Sequence, residues 1–153
     1  MVDQYQKNLD KKSLIQANPL ATFTGKPLAL GGSEGRNEAT GLGGVMILDK
    51  LVEKMGILDK SQVTIAVQGF GNVGYWFAKH ASDRGYKVVA LSDSSGGIFD
   101  KKGIDVVKAL QCKKEKGSLS KFAGKTISNE ELLELNVDIL VPAALENVIH
   151  QDN

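Results

Sequence analysis

The run Gly69-Phe70-Gly71-Asn72-Val73-Gly74 reads G-x-G-x-x-G. Glycines at this spacing can make the tight turn out of a strand, let the backbone approach a pyrophosphate, and let the following helix pack closely on that strand. The amides and positive dipole end of such a helix favour phosphate. Asp93 stands 19 positions after Gly74, where a carboxylate can accept hydrogen bonds from an adenosine ribose. A carboxylate there repels a 2′-phosphate, so NAD is the expected cofactor. Ser94 and Ser95 could still bond a phosphate, which keeps NADP open. By themselves the glycines could serve only a tight turn, and Asp93 before Ser94-Ser95-Gly96-Gly97 is also good turn chemistry.

These residues need a strand before them, a helix after them and a second strand ending at Asp93. Val63–Val67 is short, apolar and β-branched, as a strand buried on both faces should be. A helix is expected from Val73 to Asp83, with Val73, Phe77, Ala78 and Ala81 on one face and Gly85 ending it. Lys87–Leu91 reads as a second buried strand, and Val137–Val141 as a third, stopped by Pro142. Further helices are expected at about 37–55, with Leu42, Val45, Met46, Leu48, Val52 and Met55 inward, and at 104–114, with Ile104, Val107, Ala109 and Leu110 inward. A short helix is expected at 130–135. Gly41, Gly43 and Gly44 weaken the first of these helices, which points to close approach by a backbone or a ligand. Alternating strands and helices imply a Rossmann-like α/β fold, a parallel sheet with helices on both faces and right-handed crossovers. Residues 1–30 read as a polar, turn-rich lead-in, with turns at Asn18-Pro19 and Gly25-Lys26-Pro27, and residues 31–153 as the partial nucleotide-binding domain.

Composition narrows the remaining classes. The formal charge of +1 offers no bulk attraction for nucleic acid or an anionic membrane. Eight lysines fall between Lys101 and Lys125, but no arginine or aromatic pattern of a nucleic-acid surface accompanies them, so they read as a solvated face. Cys112 is the only cysteine, which excludes an intramolecular disulfide and a cysteine-based zinc site. No metal site is expected. The first fifteen residues lack a signal-peptide apolar run and no stretch has the length of a membrane span, so a cytoplasmic setting is expected. Ser33 and Ser95 have no base at a recognisable spacing, and His80 is expected on the polar side of its helix.

Several blocks together resemble the cofactor domain of hexameric glutamate dehydrogenases. They are Thr24-Gly25-Lys26-Pro27, the run from Gly31-Gly32-Ser33-Glu34-Gly35-Arg36 through Asn37-Glu38-Ala39-Thr40-Gly41, the fingerprint with Gln68 before it, Ser92 to Gly97, and Pro142-Ala143-Ala144-Leu145-Glu146-Asn147. The Gly31–Gly41 block is far more specific than the fingerprint. The resemblance implies reversible oxidative deamination of L-glutamate to 2-oxoglutarate and ammonia, with a dinucleotide as hydride carrier. It implies that Thr40 contacts the nicotinamide amide side, Arg36 sits at the cleft, and Asn72 contacts cofactor beyond the glycines. Ala143, Ala144 and Asn147 would line the nicotinamide ribose. Phe70 and Val73 are expected at the cofactor as part of the fingerprint. The family's catalytic lysine and aspartate match no position here, so no catalytic residue is assigned and the chain alone is expected to be inactive. Family members are nearly three times as long and carry further strands after the Pro142 block, so the chain is expected to be a fragment with a sheet incomplete at its C-terminal end. Its third strand is then an edge open to pairing, which leaves a homo-oligomer open. The other reading is a stand-alone, non-catalytic Rossmann module for nucleotide sensing or assembly.

Overall fold

The structure, a computed structural model, describes residues 2–8, 22–151 and 153. The turn expected at Asn18-Pro19 lies outside the described residues. The chain divides into two compact units, Met1–Ala39 and Thr40–Asn153.

In the first unit, α1 spans Val2–Asn8, and the ring of Tyr5 meets that of Phe23 edge-on at 5.6 Å. Pro27 leads into a 3-10 turn, Leu28–Leu30, which Gly31 closes in the left-handed conformation at φ 78°. Lys26 Nζ donates to the carbonyls of Phe23 at 2.5 Å and Gly31 at 2.8 Å, so one ammonium holds this loop closed.

The second unit carries one sheet. From Ala39 onward the elements in chain order are α2 (Ala39–Lys54), β1 (Thr64–Gln68), α3 (Asn72–Asp83), β2 (Lys87–Asp93), β3 (Gly96–Phe99), α4 (Val106–Lys116), β4 (Lys125–Ile127), α5 (Asn129–Leu133) and β5 (Ile139–Pro142). The sheet order is β4-β3-β2-β1-β5. β1 pairs in parallel with both β2 and β5, as expected for crossover units. β3 and β4 add antiparallel pairs, so the sheet is mixed rather than wholly parallel. The sequence signal for these two was weak for a physical reason. β3 begins Gly96-Gly97 after a tight turn, and β4 is only three residues long with an exposed lysine.

Alternation along β1 divides the core. Ile65 and Val67 pack with Val45, Leu48, Val52, Phe77, Ala78 and Ala81 beneath α2 and α3. Ala66 points to the other face with Ala90, Ile127 and Leu132, where α5 lies. Helices therefore cover both faces. Met46, Met55, Val73 and Val107, expected inward, are exposed. In α2 the buried stripe runs through Gly41 and the expected Val45, Leu48 and Val52, and in α4 through Val106, the expected Ala109, and Cys112. Of the three α2 glycines, two serve packing. A Cβ on Gly41 would sit 2.5 Å from the Phe77 amide nitrogen, and one on Gly44 would sit 2.9 Å from the Phe77 ring. Gly43 faces open space. His80, expected in solvent, is half-buried and stacks on Trp76 at 5.7 Å between ring centroids.

One carboxylate ties these layers together. Asp49 Oδ1 accepts from the Tyr86 hydroxyl at 2.8 Å and from Lys60 Nζ at 2.6 Å, and Oδ2 faces Arg84 Nε at 3.2 Å. Burial acts to raise the Asp49 carboxyl, but Lys60, Tyr86 and Arg84 hold it below its usual range.

Candidate functional site

The site begins at the C-terminal end of β1. Gly69 leaves the strand at φ 92°, a conformation that L side chains rarely adopt. A Cβ there would also meet the Ala143 carbonyl and the Ala144 side chain at 2.8 Å. A Cβ on Gly74 would strike the Gly69 carbonyl oxygen. Both glycines are therefore demanded by the chain's own packing. Gly71 differs. Its φ of −93° and ψ of −155° suit any residue, and a Cβ there would meet nothing within 4 Å. Nothing inside the described residues requires glycine at this position, while an external group approaching the backbone would.

Gly71 is the N-cap of α3 and supplies no side-chain cap. By contrast α4 is capped by Asp105, which accepts from the Lys108 amide at 3.0 Å. α5 is closed by a reciprocal Ser128–Glu131 box. The first turn of a helix presents amides with no acceptor within the helix. At α3 these point from an exposed turn, with Gly71, Asn72 and Val73 all at the surface. Phe70 does not offer its ring, which is buried and meets Tyr75 edge-on at 5.8 Å. Only its backbone belongs to the site, its amide donating to the Ser92 carbonyl at 2.6 Å.

Asp93 closes β2 at the same end of the sheet and is 8% exposed. Its Oδ1 accepts from the Ser95 amide at 2.8 Å and the Ser95 hydroxyl at 2.6 Å. Its Oδ2 pairs with Lys113 Nζ at 2.9 Å, and the same ammonium donates to the Phe70 carbonyl at 3.0 Å. Burial acts to raise the Asp93 carboxyl, but Ser95 and Lys113 outweigh it and hold it below its usual range. Ser94 is exposed beside it. Lys113 went unmarked in the sequence because it is one of eight lysines in a run. Its place in α4, one position after the buried Cys112, is the only signal that sets it apart.

The third component follows β5. The Ala143 amide donates to the Gln68 carbonyl at 2.8 Å, which brings the 143–147 loop against the glycine turn. Ala144 and Asn147 are exposed there, and Asn147 holds φ 60°. Gln68 Oε1 and Ser92 Oγ are buried with no hydrogen-bond partner among the described residues, and they occupy paired register positions on β1 and β2.

Arg36 and Thr40 fall in different units. Arg36 lines a cavity of about 250 Å³ in the first unit with Thr24, Ser33 and Asn37. Thr40 is exposed in the first turn of α2. Among the described residues no group of three His, Cys, Asp or Glu could hold a metal ion, and no helix is long and apolar enough to cross a membrane.

Comparison with known proteins bears on this arrangement. The sequence pattern of the Glutamate/Leucine/Phenylalanine/Valine dehydrogenase family matches residues 31–153. The chain is 42% identical over 153 residues to the cryptic catabolic NAD-specific glutamate dehydrogenase of Bacillus subtilis, covering 100% of this chain and 34% of that protein. It is 42% identical over 156 residues to the NADP-specific glutamate dehydrogenase of Synechocystis, covering 95% and 36%. Its fold superposes on the hetero-hexameric glutamate dehydrogenase of Thermus thermophilus with a TM-score of 0.78 and 38% identity, over 92% of this chain and 33% of that one. The chain thus spans about a third of the length of the curated relatives it matches.

Proposed function

Because the chain belongs to the Glutamate/Leucine/Phenylalanine/Valine dehydrogenase family, we propose that its second unit is the nicotinamide-dinucleotide-binding part of a glutamate dehydrogenase. The observation that carries this reading is Gly71, a glycine at the exposed start of α3 where an added Cβ would meet nothing within 4 Å, which leaves an opening beside the backbone. A pyrophosphate fits that opening, because the backbone can approach it and the α3 amides face it. Ligands of open α/β sheets sit beyond the carboxyl ends of the strands, where the chain order reverses. β1 is that point here, flanked by β2 and β5.

In this reading Gly69, Gly71 and Gly74 shape the turn, and the amides near Asn72 and Val73 hold the phosphates. Asp93 accepts from the adenosine ribose, with Ser94 beside it. Ala143, Ala144 and Asn147 border the nicotinamide ribose, and Thr40 acts toward the nicotinamide end. When bound, the dinucleotide supplies a hydride acceptor or donor for the interconversion of L-glutamate with 2-oxoglutarate and ammonia. The chain's own contribution is to bind and orient it. NAD and NADP both stay within the proposal, since the two curated relatives above are named for one each. Association with further copies belongs to the same reading.

Isothermal titration of the purified chain with NAD tests it. Saturable binding that is lost in Gly71→Val, with the variant still folded by circular dichroism, is expected. Glutamate-dependent NADH formation by the chain alone is expected to be absent. Unchanged NAD binding by Gly71→Val would remove the basis of the proposal.

A further inference from the structure

The end of the sheet opposite the glycine turn carries a second cavity, of about 320 Å³, within the second unit. Its apolar wall is Val89 of β2, Phe99 at the end of β3, and Leu135 and Val137 between α5 and β5. Val89 is buried, while Phe99, Leu135 and Val137 are each half-buried. Three large apolar side chains are thus left partly uncovered around one opening. Small-molecule sites have this size and this make-up, an apolar lining with a few polar groups at fixed places.

The walls are held apart by the backbone rather than by one another. Ile65 pairs with Val88 and Ala66 with Ala90, so the β1–β2 register skips Val89. A bulge is uncommon in a parallel pair, and bulges re-aim side chains beside functional sites. The Val89 carbonyl accepts from the Asp100 amide at 2.9 Å and the Val88 carbonyl from the Ile104 amide at 2.7 Å, which pins the 100–104 turn on one side. On the other side the Thr64 amide and hydroxyl donate to Asp138 Oδ2 at 2.8 and 2.7 Å, and the Asp138 amide donates to Thr64 Oγ1 at 3.1 Å. These bonds fasten the 135–137 loop to the start of β1. Closing the cavity would break them, so the opening is preformed.

Charge decides what fits. No acidic side chain is among the lining residues, and Lys101 and Asn136 stand at the rim. Both are exposed, and neither side chain takes a hydrogen bond or ion pair among the described residues. The Lys101 ammonium is a free cation, and the Asn136 amide can donate. Thr64, also in the lining, has its polar atoms engaged with Asp138 and offers only its methyl. Its amide and hydroxyl hold the Asp138 carboxyl below the usual range. That negative charge sends the anionic end of a ligand away from Thr64 and toward Lys101.

We propose that this cavity binds a small aliphatic carboxylate, with its chain against Val89, Phe99, Leu135 and Val137 and its carboxylate at Lys101 and Asn136. The site is separate from the glycine turn and stands whether or not the dinucleotide reading holds. The buried chain supplies most of the affinity and the exposed ammonium selects for the charge.

The test is a series of amide nitrogen–proton correlation spectra of the labelled whole chain, as wild type and Lys101→Gln, titrated with hexanoate, hexanol and acetate at one salt concentration. Hexanoate should give saturable shifts at Thr64, Val89, Phe99, Lys101 and residues 135–137, and leave Gly69 to Gly74 unmoved. Acetate, which lacks the chain, should not saturate. Hexanol should bind at the same residues about threefold more weakly than hexanoate, and Lys101→Gln should bring hexanoate down to the level of hexanol while leaving hexanol unchanged. No saturable shift with hexanoate, or shifts confined to the glycine turn, would overturn the proposal. Equal binding of hexanoate and hexanol by wild type would overturn the assignment of a carboxylate, a comparison that holds even without the variant. A loss in Lys101→Gln that falls on hexanol as heavily as on hexanoate would show Lys101 to be structural and contradict its role.

Discussion

The Ala143 amide donates to the Gln68 carbonyl at 2.8 Å, carrying the β1–β5 pairing one residue beyond the strand and setting the Ala143 carbonyl against Gly69. Two segments more than seventy positions apart in sequence thereby share one end of the sheet. The glycine turn and the 143–147 loop can face one ligand only because β5 lies beside β1 rather than at the far side of β2.

The Gly74 position tests the geometry of the turn. A Cβ there would collide with the Gly69 carbonyl and crowd Val67. Gly74→Ala should destabilise the fold by about 1–3 kcal/mol, the usual cost of overpacking. It should also displace the α3 start and abolish NAD binding. A melting curve paired with a titration checks both.

Asp93→Asn keeps shape but removes charge from a buried carboxylate that holds Lys113. It should weaken NAD by about tenfold, the size of one charge-assisted hydrogen bond. NADP should weaken less, because the repulsion of its phosphate goes too.

Acid should reveal the same residue. The Asp93 carboxyl lies below its usual range in the fold. A depressed carboxyl contributes stability that is complete above its unfolded value and is lost as pH falls through the folded one. Wild type should therefore lose stability below about pH 4 more steeply than Asp93→Asn. Urea midpoints across that window measure it.

Alkali should reveal Tyr86. Burial and the hydrogen bond to Asp49 push its hydroxyl up to about 12. A raised group contributes stability that is fully present below its unfolded value and lost as pH rises through the folded one. Stability should fall between about pH 10 and 12, and Tyr86→Phe should flatten that fall while costing about 1 kcal/mol at neutral pH.

The outline of this fold was legible from residues whose signals are local. The β-branched run before Gly69, the fingerprint and the turn residues at Gly85 each declare themselves within a few positions. β3 and β4 did not, because their pairing depends on partners rather than on pattern. Of the candidate site, the glycines and Asp93 were legible from spacing, and they fall at the same end of the sheet. Lys113 was not, since its role arises from α4 crossing the β2 tip, a relation between elements that no spacing encodes. Phe70 shows the reverse limit: its place in the motif drew attention to a ring that the core takes.

The most direct test of dinucleotide binding is a pair of amide nitrogen–proton correlation spectra of the labelled chain, with and without saturating NAD. Shifts concentrated at Phe70–Gly74, Asp93–Ser95 and Ala143–Asn147 are predicted. A saturable ligand whose shifts lie elsewhere, or no shifts in a chain with a folded spectrum, would contradict the site described.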